Sequence, residues 1–258
     1  MKAIWTGTIG FGLVNIPVKL FSATQASELN LDMLDKKDLS NIRFKRVNEK
    51  TGKEVDWNNI VKGYMIDNRY VVLDEKDFES ASAAKTKVIE ISDFVKATEI
   101  DSIYFENPYY VAPEKSGVRA YALLREALHK TGKVGVASFV MRSKEALAIL
   151  RATENAIILN RMRFAEEIRD AKELDIPGKG DIKPGELKMA ISLINQLTGK
   201  FNISKYKDTY TAQLLKLIKA KSKGAKVTVP QMKVVHNKAK DLMSQLKASL
   251  AEKRKKAS

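Results

Sequence analysis

Residues 4–24, IWTGTIGFGLVNIPVKLFSAT, alternate apolar and polar side chains with a period of two. Ile9, Phe11 and Leu13 hold one phase, and Val14, Ile16, Val18 and Leu20 hold the other. That period belongs to a pleated strand with one buried face, so the chain must offer this stretch a sheet and a core. The change of phase predicts a bulge or bend near Leu13–Val14, and Pro17 is expected at a sheet edge or at that irregularity. Further short strands are expected at 42–47, 70–73, 87–91, 103–105, 109–112, 134–141 and 156–164. Many short strands followed by helices give a mixed α+β fold, mainly β, of the barrel or sandwich kind with helical additions.

Three helices stand out. Residues 118–130 carry Tyr121, Leu124 and Leu128 on one face and stop before Gly132. Residues 184–198 begin with a proline, space Leu187, Ile191, Ile194 and Leu197 helically, and end at Gly199. Residues 208–223 hold a narrower stripe of Leu214, Leu217 and Ile218, too polar around it for a deep core, so the chain from about residue 200 reads as an appendage. In 230–247 an apolar stripe that includes Leu242, Met243 and Leu246 runs between lysines. It is either a solvated helix or one that docks in a partner's groove. Lys253, Arg254, Lys255 and Lys256 are too charged to pack and predict a disordered end.

The apolar fraction of 44% in 258 residues supports one sizeable core. No run of about 18 uncharged apolar residues exists, so no membrane span is expected. Thr6, Gly7, Thr8 and Gly10 interrupt the apolar stretch a secretory signal needs, and the absence of cysteine fits a reducing compartment; the expected location is cytoplasmic. The net charge is +15, of which residues 219–258 supply +10 through 12 Lys/Arg against two acids. Such a field attracts polyanions.

Chemistry is harder to find. Gly7, Gly10 and Gly12 follow G-x-x-G-x-G, the wrong order for a dinucleotide turn, and read as a tight bend and close packing. His129 and His236 have no neighbouring ligand set, so neither a metal nor a cofactor is expected. Glu166/Glu167 and Asp74/Glu75/Asp77 are ordinary surface charge, and no Ser or Thr is marked as an activated nucleophile. An enzyme is disfavoured.

Residues 42–64, IRFKRVNEKTGKEVDWNNIVKGY, are the strongest candidate site. Arg43, Lys45, Arg46, Lys50, Lys53 and Lys62 stand against Glu49, Glu54 and Asp56 in what reads as a strand, a turn at 49–53 and an exit. This is either a solvated hairpin or a basic arm laid on phosphate. No zinc finger, aromatic RNA-binding pattern or clean recognition helix accompanies it, which favours backbone contact over base readout.

AIWTGTIGFGLVNIPVKLFSAT, the 42–64 stretch, YFENPYYVAPEKSGVRAYALLREAL, RFAEEIRD and LKMAISLINQLTGKFNISKYKDTY together resemble the bacterial Ku family, in order, from residue 2 to about 222. DLMSQLKASL at 241–250 is similar to the end of that family. The resemblance implies a Ku-type β-barrel core over 1–183 with an extended bridge arm at about 42–87, a helical arm at 184–224 and a basic extension at 225–258. It implies a non-enzymatic homodimer that forms a ring around double-stranded DNA ends in non-homologous end joining and recruits DNA ligase D. Arg43, Lys45, Arg46, Lys50, Lys53, Lys62 and Arg69 would face the duplex, joined by Arg142 and Lys144 at a strand-to-helix turn, MRSKE, and by the 253–256 cations. Leu187, Ile191 and Ile194 would be dimer interface or core, and Leu242, Met243 and Leu246 would dock the ligase. Some Ku-like sequences carry cysteines near the position of Asn48; this chain has none, so no metal is expected there. The alternative is an architectural, nucleoid-type duplex-binding protein with no requirement for an end.

Overall fold

The computed structural model describes residues 1–81, 87–142, 144–178, 180, 182–224, 245, 246 and 249. The chain divides into two compact units, one of Met1–Ala26 and Leu31–Arg169, the other of Ser27–Asn30 and Asp170–Ser258. In the first, seven strands close a barrel. Their order around it is β1 (Trp5–Phe11), β2 (Val14–Ser22), β6 (Phe105–Pro113), β9 (Ile157–Met162), β8 (Lys144–Ala152), β7 (Lys133–Met141) and β5 (Val88–Lys96). All neighbours are antiparallel except β1 and β5, which run parallel and meet only at Thr8–Val88, Ile9–Ile89 and Gly10–Glu90.

The period-two pattern fills this barrel. Ile9, Ile16, Val18 and Leu20 are fully buried against Ile89, Leu150, Ile157 and Leu159. The phase change is a hairpin and not a bulge: Phe11 pairs with Val14, and Gly12 opens the two-residue loop at φ 57°, as the first position of a type II′ turn requires. Pro17 is not on an edge either. Its carbonyl accepts from Glu114 N–H just beyond the last β2–β6 pair, Val18–Pro113, so the donor it lacks falls past the end of that ladder.

The helix α2 (Val118–Thr131) closes one mouth of the barrel with Tyr121, Leu124 and Leu128, and ends at Gly132 in the left-handed region. The Tyr121 hydroxyl accepts from Ile157 N–H and donates to the Val111 carbonyl, both at 2.7 Å. Burial pushes its pKa up, which keeps it a neutral donor.

Two further expectations fail. KEALAILRA, read as leaving a strand-to-helix turn, is strand β8: Met141 pairs with Lys144 across a hairpin. Ala146, Ala148 and Leu150 pack in the barrel, while Ile149 and Leu147 pack in a second cluster with Val134 and Met162. Both faces are apolar, which erases the period of two. Residues 42–47 form no ladder; their main chain makes a single β-bridge to the following segment, Val47–Glu54.

In the second unit α3 (Pro184–Leu197) and α4 (Thr209–Ser222) bury no residue. Asp208 caps α4 by accepting from Thr211 N–H at 3.0 Å and from its hydroxyl, bonds that hold its carboxyl below the usual value. Of the segment expected to be helical at 230–247, only Gln245 and Leu246 are among the described residues, both helical; Leu242, Met243 and the cations at 253–256 lie outside them. No helix among the described residues is long and apolar enough to cross a membrane.

Candidate nucleic-acid interface

From residue 31 to residue 81 no side chain is buried. This arm is built from local turns. Asn48 Oδ1 accepts from the N–H groups of Lys50 and Thr51, Asn48 N–H donates to the Lys53 carbonyl, and Gly52 adopts φ 64°, so the chain reverses at 48–53. Val55 N–H then donates to the Arg46 carbonyl. A second hairpin, β3 (Lys62–Ile66) and β4 (Arg69–Leu73), turns through Asp67 and Asn68, both at positive φ, as a type I′ turn demands. A short helix, α1 (Glu75–Ala81), follows.

The expected cations stand in different environments. Lys45 Nζ is 2.7 Å from Glu54 Oε2, an exposed pair. The Arg46 guanidinium lies 4.5 Å from the centre of the Trp57 ring, and Lys62 Nζ 4.8 Å from that of Phe78. Each of these two cations thus lies over the face of an aromatic ring. Arg43, Lys50, Lys53 and Arg69 are exposed, the middle two on the turn and Arg69 beside the β3–β4 loop. Trp57 and Phe78 were not singled out by the sequence. Counting outward from the 48–53 turn would have found Trp57, two residues beyond Val55, the partner of Arg46.

Strand directions bring the remaining candidates to the arm. β2 ends and β5 begins at the same end of the barrel, because β1 is antiparallel to β2 and parallel to β5. β7 is antiparallel to β5, so the β7–β8 hairpin tip with Arg142 and Lys144 lies at that end too. Trp5 Nε1–H donates to the Val140 carbonyl at 3.0 Å, tying the first strand to that tip. Arg142 holds φ 51° there, an unusual conformation for a residue with a Cβ, on an exposed loop. Arg161 and Arg163, by contrast, both reach Glu106, at 3.0 and 3.5 Å, and are held by the barrel wall.

Among the described residues no group of His, Asp or Glu could hold a metal ion. In the second unit Leu187, Ile191 and Ile194 are all exposed on α3 among the described residues.

A closed barrel with a cation-bearing arm rooted at one end, and further cations on the hairpin beside those roots, defines a β-barrel protein with a basic appendage. Residues 10–189 match the model of the Ku70/Ku80 beta-barrel domain. The non-homologous end joining protein Ku of Coxiella burnetii is 39% identical over 98% of this chain and 96% of its own length. Those of Opitutus terrae and Bacillus subtilis are 44% identical over 86% of this chain and 80% of theirs, and 40% identical over 99% and 83%. The chain belongs to the Ku family.

Proposed function

We propose that this protein binds double-stranded DNA ends without regard to sequence in non-homologous end joining, as a homodimer whose two arms complete a ring. Its role is structural and not catalytic, as membership of the Ku family entails. The observation that carries the reading is the convergence of the arm's two roots and the Arg142–Lys144 hairpin on one end of the barrel. Cations so arranged suit a contact with sugar and phosphate, which carries no base information. Support for a second copy comes from the arm's apolar surface: Phe44 is 81% exposed, Tyr70 71% and Trp57 68%, in a segment that buries nothing of its own. Unburied apolar surface on that scale marks an interaction site. The exposed Leu187, Ile191 and Ile194 of α3 give the second unit a comparable face.

Recruitment of DNA ligase D falls to the basic extension in this reading, through Leu242, Met243 and Leu246, with Lys253, Arg254, Lys255 and Lys256 adding phosphate contacts. Charge reversal of Arg43, Lys50, Lys53 and Arg69 tests the DNA-facing assignment. Binding should fall alike on duplexes of unrelated sequence, and log affinity should depend less steeply on log salt, by about 0.9 for each phosphate no longer neutralised. A weakening confined to one sequence contradicts the assignment.

A further inference from the structure

We propose that the barrel mouth opposite the arm is a docking site for an extended acidic peptide with one bulky apolar side chain. Three observations converge there. The first is an incomplete seam: β1 and β5 pair only as far as Gly10–Glu90, and beyond Ile91 the strand β5 is paired, among the described residues, with β7 alone. A register shift between Ile91 and Asp93 interrupts the β5–β7 ladder at this point, as a bulge that bends the strand does. The main chain from 92 to 95 is thereby left as a sheet edge onto which another strand can add, and the edge ends at Lys96, whose N–H donates to Glu99 Oε2 at 3.3 Å.

The second is a cavity of about 250 Å³ beside that edge, lined by Phe11, Phe94, Leu124, Ala127, Leu128 and Thr131. Helix α2 closes the mouth on its β2, β7 and β8 sides and leaves this side open. Phe11 and Phe94 meet edge to face at 5.6 Å and form one wall. The volume suits one large apolar side chain.

The third is charge. Lys96 and Lys133 are direct cross-strand partners, and Lys133 is on the cavity rim. Two like charges opposite each other cost stability, and an anion between them removes the cost. Phe94 and Lys96, two apart on β5, share a face, so a strand added at this edge presents its alternate side chains to the cavity and to the lysines together. Among the described residues no carboxylate forms an ion pair with the side chain of Lys96 or Lys133. Glu99 turns its Oε2 to the Lys96 main-chain N–H at 3.3 Å, Asp93 shares the opposite face with Val95, Glu90 lies over Gly10, and Glu126 is paired with Lys130 at 3.6 Å. The chain's own last forty residues, at net +10, are repelled by such a rim, and the apolar cavity offers nothing to a phosphate backbone.

The probe is a fluorescein-labelled, acetylated heptapeptide, Thr-Glu-Thr-Phe-Thr-Glu-Thr, titrated with the full chain by anisotropy. Replacing its Phe by Ser, or its Glu residues by Lys, should weaken binding at least about tenfold. The double variant Lys96→Glu, Lys133→Glu should reverse the preference toward the Lys peptide, and Ala127→Leu, which fills the cavity, should weaken the Glu peptide about as much as the Ser replacement does. Thermal melting establishes that each variant is folded; if Ala127→Leu is not, the surface charge swap decides. No binding by the unaltered chain up to about 1 mM, or binding indifferent to the charge swap, overturns the proposal. Displacement of the peptide by a short duplex also overturns it and assigns the face to nucleic acid.

Discussion

Glu54→Gln probes how the arm divides its charge between itself and a bound polyanion. Lys45 Nζ lies 2.7 Å from Glu54 Oε2 with both side chains in solvent. An exposed pair of this kind contributes about 0.2–1 kcal/mol, so its removal should move the melting temperature by no more than a few degrees. The effect on DNA is of a different order. While Glu54 is ionised, Lys45 is locally neutralised and displaces few counterions from a duplex, and the carboxylate itself repels phosphate. With glutamine at 54 the arm gains one effective cation, and the slope of log affinity against log salt should steepen by about 0.9. Affinity should rise several-fold at low salt and converge on that of the unaltered chain as salt increases. Lys45→Ala should have the reverse effect, and the double variant should return to the original slope. Fluorescence anisotropy on one short duplex across a salt series measures all four proteins. An unchanged slope for Glu54→Gln would refute the placement of residues 43–54 against phosphate.

Gly7→Ala should open the barrel seam, because a Cβ there collides with the Lys87 carbonyl that accepts from Thr8 N–H; a destabilisation of about 1–3 kcal/mol is expected in denaturant titration, and an unperturbed midpoint would mean the seam is not a constraint. Tyr121→Phe leaves Ile157 N–H and the Val111 carbonyl without their shared partner and should cost roughly 2 kcal/mol, read by the same titration, with no change in duplex binding under conditions where the variant is fully folded. Ile191→Asp should yield a folded monomer by sedimentation, since Ile191 is exposed in the chain; an unfolded product would place it in a core instead. Asp208→Asn should lower the melting temperature at neutral pH. The Asp208 carboxyl is depressed by its Thr211 bonds, so its contribution is present above 3.8 and is lost as pH falls further, where the two proteins should converge.

The barrel core was legible because its strands obey one rule. Ile9, Ile16, Val18 and Leu20 alternate with polar residues, and each is buried as the alternation requires. β8 broke the rule by packing apolar residues on both faces, and a run of Ala, Leu and Ile then looks helical. The phase change at Leu13–Val14 was seen but misassigned, since a two-residue hairpin and a bulge both shift phase by one. The cations of the arm were legible by type and spacing. Their surroundings were not: the pairing of Lys45 with Glu54 and the stacking of Arg46 on Trp57 depend on a hairpin register that only the turn at 48–53 sets. Arg142 and Lys144 were placed beside the arm by family resemblance, whereas their position follows physically from three strand directions around the barrel.

The central claim is that the protein engages duplex DNA by its ends. A ring can load only where a duplex terminates, so the decisive measurement compares one DNA of fixed sequence as a linear fragment and as a covalently closed circle, in a competition titration at moderate salt. The linear form should compete strongly, the closed circle weakly, and cutting the circle once should restore full competition. Equal competition by the circle and the fragment would contradict end binding and leave an architectural duplex-binding protein in its place.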